Sequence, residues 1–71
     1  MKKILVKNHI QKFLTMRDME QKQLAEKIGV TRWNIHNWVT GKREPRPEAR
    51  YKLCEALGVS LHELFYLEES V

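Results

Sequence analysis

Three glycines and two prolines are all the backbone punctuation this 71-residue chain carries, and the glycines stand where helices would stop. Gly29, Gly41 and Gly58 each follow a stretch whose apolar residues recur at helical spacing. A residue in the left-handed conformation commonly ends a helix, and glycine adopts it without steric penalty. Five helical segments fit between the marks. In the first, Val6, Ile10, Phe13, Leu14 and Arg17 form one stripe, predicting a helix from Lys7 to Arg17. The second spans Gln21 to Ile28 with Leu24, Ala25 and Ile28 inward. The third runs from Arg32 to Val39, with Thr31 placed to cap it through its hydroxyl. The fourth opens at Pro47, a residue suited to the first helical position, and carries Ala49, Leu53, Cys54 and Leu57 inward before Gly58. The fifth begins at "SLHE", where Ser60 and Glu63 make a capping box and Leu61, Leu64 and Phe65 supply the apolar face. No segment alternates with period two over strand length, so the predicted fold is all-α.

Residues 1–71 are expected to form a single domain, near the lower end of what a hydrophobic core alone can stabilise. Hydrophobic residues make up 42% and charged residues 31%, a globular balance. No apolar run approaches the length of a membrane span, and the start "MKKILVKNHI" has too short an apolar stretch for a signal peptide. A soluble, cytoplasmic protein is the expectation. The single cysteine, Cys54, has no intramolecular disulfide partner, which agrees with a reducing compartment.

The formal charge of +4 is unevenly spread. Residues 1–52 hold all thirteen bases against five acids, a formal +8, whereas residues 53–71 hold four acids and no base. The basic part is the candidate contact surface for a polyanion, although a merely solvated charged surface would show the same balance.

The third segment, "RWNIHNWVT", is the most informative. At roughly 100° per residue, Arg32, His36, Thr40, Trp33 and Asn37 share an arc of about 140°, while Trp38, Ile35 and Val39 gather in another of about 100°. Trp38 belongs with Ile35 in the core. Trp33 lies on a face with no apolar stripe to bury it, and an exposed tryptophan points to a partner surface. The side chains around it suit base edges in a major groove: arginine can donate two hydrogen bonds to guanine, asparagine can pair with adenine, and an aromatic edge can meet a thymine methyl. A preceding short helix with a small Ala25, and the short connection "GVT", complete the context.

These residues resemble the Xre (Cro/repressor-like) helix-turn-helix family over about residues 8 to 66. The likeness is carried by "QKQLAEKIGVTRWNIHNWVTGKREP" and "KLCEALGVSLHELF". It implies a five-helix, lambda-repressor-like domain with the motif at about residues 21–40. The resemblance places Arg32, Trp33 and Asn37 at base-reading positions with His36 beside them. Gln21, at the start of the second helix, matches a phosphate contact, where the positive helix end also helps. Thr31 is grouped with the backbone contacts, and Thr40, Lys42 and Arg43 match the loop that grips the sugar-phosphate backbone. Val39 stands where the family often has glutamate, and Cys54 where it commonly has alanine; both fit a core.

Other chemistries find less support. Cys54, His9, His36 and His62 are scattered over four helices, so neither a metal site nor a cysteine–histidine nucleophile is expected, and no cofactor or enzyme activity is implied. The expected partner is double-stranded DNA, bound by a homodimer that represses transcription by occupying an operator. Ile4, Leu5, Tyr66 and Leu67 are the candidates for the dimer surface. The competing reading is a protein-binding module such as an antitoxin that holds a toxin protein, with Trp33 as the anchor; the chain has little room after Phe65 for a segment that would wrap a toxin.

Overall fold

Four α-helices and a closing π-helical turn follow one another without strands among the described residues, which in this computed structural model are 8–66, with the backbone alone for Tyr66. The helices are α1 (Ile10–Met16), α2 (Gln21–Ile28), α3 (Arg32–Thr40) and α4 (Pro47–Leu57). The last turn covers His62–Tyr66. The all-helical expectation holds, and the boundaries of α2 and α4 are those predicted.

The ends are set locally. Gly29, Gly41 and Gly58 all take positive φ, 75°, 80° and 68°. After two of them the chain locks back in the same way: the Val30 amide donates to the Ala25 carbonyl at 3.0 Å, and Val59 to Cys54 at 3.1 Å. Such bonds satisfy carbonyls that a helix end would otherwise leave bare. The end of α1 has the same architecture without a glycine. Asp18 takes φ 52°, its amide donates to Thr15 at 3.1 Å, and Met19 donates to Leu14 at 2.9 Å. Aspartate tolerates this region better than most residues, so the chain turns from α1 into α2 on an aspartate.

At its other end α1 begins three residues later than expected. Asn8 accepts the Ile10 amide on Oδ1 at 3.0 Å and so acts as the stop for the incoming chain. Lys7 and Val6, the expected first turn, lie outside the described residues. Arg17, counted in the apolar stripe, is exposed; its guanidinium lies over the Phe13 ring at 5.3 Å, covering that ring's outer edge by a cation–π contact.

The core is continuous through all elements: Ile10, Phe13 and Leu14 from α1, Leu24, Ala25 and Ile28 from α2, Ile35 and Trp38 from α3, Leu53, Cys54 and Leu57 from α4, and Leu64. Helix α2 packs on both α3 and α4, and α1 closes on α3. His9 is also buried, and its amide donates to the Leu64 carbonyl at 2.8 Å, pinning the start of α1 to the last turn. The expected capping box of that turn is present: Ser60 Oγ accepts from the Glu63 amide and Glu63 Oε1 from the Ser60 amide, both at 3.1 Å. The five residues from His62 then wind as a π-helix rather than an α-helix.

Cys54 is a packed core residue, and burial pushes its thiol up from the ordinary cysteine range. The reactive thiolate is thereby depleted. Alkylation by a maleimide at neutral pH should be slow in the native protein and complete in denaturant; equal rates in the two states would contradict this packing. No helix of the described residues is long and apolar enough to cross a membrane.

Candidate nucleic-acid interface

Helix α3 is anchored at its middle and free at its beginning. Thr31 starts it with extended backbone and a hydroxyl that accepts the Asn34 amide at 3.1 Å. Replacing Thr31 by alanine should cost about 1 kcal/mol of unfolding free energy, read as a shift in urea midpoint at constant slope. Ile35 is wholly buried and Trp38 is 8% exposed, so one side of the helix is held by the core. Arg32, Trp33 and His36 remain exposed. Trp33 keeps 65% of its surface in solvent, and its ring stacks on His36 with centroids 5.8 Å apart and planes 23° from parallel. The two rings and Arg32 share a groove with Glu20, Gln21 and Lys22 at the start of α2. The first turn of α3 and the first turn of α2 therefore form one surface.

Asn37 departs from the expectation. The helical wheel puts it with Arg32, Trp33 and His36 on the exposed arc, and the structure buries it to 6% exposure. At roughly 100° per residue Asn37 is the member of that arc nearest Trp38, and the chain beyond Gly41 folds back onto it, whereas Thr40, further along the axis, stays exposed. The Arg43 amide donates to the Asn37 carbonyl at 3.2 Å and the Thr40 hydroxyl to the same oxygen at 3.3 Å. Pro45 is buried behind them, and the Asn8 side-chain amide donates to the Trp38 carbonyl at 2.8 Å. Asn37 thus belongs to the packed side of α3.

The expected backbone contacts are spread around this surface. Lys42 and Arg43 are exposed on the loop that follows Gly41. Thr40 is exposed, with its hydroxyl turned to the helix carbonyl. Gln21 is half-buried, and its Nε2 donates to Gln11 Oε1 at 3.0 Å, tying α2 to α1. The N-terminus of α2 is closed by Glu20, whose side chain accepts the Gln23 amide while Gln23 Oε1 accepts the Glu20 amide at 2.8 Å. The helical spacing carries no signal for a glutamate in the capping position, nor for Asn34, whose angle on the wheel is close to that of Trp38; in the structure Asn34 is exposed in the first turn of α3 and lines a second groove with Arg43, Arg46 and Lys52.

The helix-turn-helix family profile matches residues 10–64, from the first residue of α1 to the last turn. The chain belongs to the helix-turn-helix family. This helix-turn-helix protein is similar to an uncharacterized HTH-type transcriptional regulator of Methanocaldococcus jannaschii, at 28% identity over 64 residues that cover 90% of this chain and 97% of that one. The resemblance read from the motif is thereby established. Family and relative together support a DNA-binding transcriptional regulator, and the family is not typically enzymatic.

Proposed function

We propose that this helix-turn-helix protein is a sequence-specific double-stranded DNA-binding regulator that inserts the first turn of α3 into the major groove. The observation that carries the reading is the division of α3: Ile35 and Trp38 are buried, while Arg32, Trp33 and His36 stand exposed at the uncovered end. An α-helix fits the major groove, and its amino-terminal residues are the ones that reach base edges in helix-turn-helix docking. Arg32 is the candidate for guanine, and the Trp33–His36 pair presents aromatic surface beside it. Asn34, exposed on the other flank of the same turn, faces Arg43, Arg46 and Lys52 and suits a backbone contact.

In this reading the protein acts as a repressor by occupying an operator. It does so as a homodimer on two half-sites about 34 Å apart, one turn of duplex. Of the candidate dimer residues, Ile4, Leu5 and Leu67 and the side chain of Tyr66 lie outside the described residues.

Lys42 and Arg43 hold the duplex by charge. Replacing either with alanine should weaken binding to every sequence and reduce the slope of log K against log salt by about 1. An unchanged slope would remove the loop from the contact surface.

Selection from random oligonucleotides with the purified protein tests the reading as a whole. An enriched motif with paired half-sites supports it. Failure to enrich any motif, together with binding insensitive to salt, would turn the exposed Trp33 into an anchor for a protein partner such as a toxin.

A further inference from the structure

Trp33 and His36 make a two-ring platform at the free end of α3, with centroids 5.8 Å apart and planes 23° from parallel. Trp33 keeps 65% of its surface in solvent, and Arg32 precedes it in the chain and lines the same groove. The other residues of that groove are Glu20, Gln21 and Lys22, so the indole is its large apolar surface among the described residues. Inside a duplex the faces of the bases are covered by their neighbours, and only base edges reach the major groove. Those edges carry hydrogen-bond donors and acceptors, with one apolar group among them, the C5 methyl of thymine. The guanidinium of Arg32 suits the polar groups, and the ring of Trp33 suits the methyl.

We propose that Trp33, stacked on His36, reads the C5 methyl group of a pyrimidine on the base pair beside the guanine taken by Arg32. The inference rests on the DNA-binding reading above and names what the exposed ring recognises. Cytosine presents its C5 at the same place in the groove and carries a methyl there only when modified. Binding is thereby sensitive to cytosine C5 methylation at that position, a change that leaves every hydrogen-bonding group of the base pair in place.

The test replaces each thymine of the duplex recovered by selection, in turn, with deoxyuridine, which lacks the methyl and keeps the O4 acceptor. Fluorescence anisotropy with the full chain should show a loss of roughly fourfold at one thymine of each half-site, the weight of one methyl group leaving water. At the same position, 5-methylcytosine paired with guanine should bind more tightly than cytosine by about the same factor. Trp33→Phe keeps an aromatic ring without the indole N–H and should retain both differences, whereas Trp33→Ala should erase them. Four results would overturn the proposal while leaving DNA binding in place: a parent indifferent to the methyl at every position, an alanine variant that still distinguishes thymine from deoxyuridine, a phenylalanine variant that does not, or a selected motif with no thymine beside a guanine. Absence of salt-dependent duplex binding by the unaltered chain would bring down the DNA-binding reading itself, and the methyl contact with it.

Discussion

Trp38→Ala should lower the free energy of unfolding by about 3–5 kcal/mol, whereas Trp33→Ala should change it by no more than about 0.5 kcal/mol. The two tryptophans are five residues apart on one helix, yet Trp38 is 8% exposed and Trp33 65%. Removing the first leaves a cavity among the residues that hold α3 to the rest of the molecule, and a chain this small has little unoccupied core into which its neighbours could relax. Small domains are stable by only about 5–15 kcal/mol, so the loss is a large part of the total and the variant should melt far below the parent. Thermal or urea denaturation followed by circular dichroism reads both. Equal destabilisation by the two substitutions would refute the division of α3 into a held side and a free end.

Arg32→Ala should cost about 1–3 kcal/mol in binding to the selected duplex and relax preference at one base position. Arg32 is the first residue of α3, exposed, in the groove beside Trp33 and His36. An arginine there can donate two parallel hydrogen bonds to a guanine edge, and its loss removes discrimination as well as attraction. The comparison with random-sequence duplex is decisive. A base contact disappears only from the selected site, whereas a phosphate contact disappears from both and takes part of the salt slope with it. Equal losses on the two duplexes would move Arg32 from the reading surface to the backbone contacts.

Much of this architecture is readable because it is enforced over three or four residues. A hydroxyl at Thr31 finds the Asn34 amide, Ser60 and Glu63 find each other, and left-handed glycines close α2, α3 and α4 wherever the surrounding core has been placed. What the sequence concealed depends on contacts made through space. The wheel assigns Asn37 an angle near Trp33 but says nothing of the chain that returns after Gly41, whose Arg43 amide folds back onto the Asn37 carbonyl. The engagement of Gln21 by Gln11 joins two helices and has no local signature. The end of α1 carries no glycine to mark it in the sequence, because Asp18 takes the left-handed conformation there.

The bond from the His9 amide to the Leu64 carbonyl brings positions far apart in the chain into direct contact. The fold is therefore nearly closed on itself, and its order of elements is separable from its shape. A circular permutant that joins the chain just before His9 to the chain just after Leu64 and opens it at the exposed Glu44 should keep α1 to α4, because the new junction is made beside groups already in contact. Such a rearranged chain would retain the pairing of α2 with α3 while freeing the loop beyond Gly41 from its covalent continuation into α4, turning the question of what that loop does into one of chain connectivity.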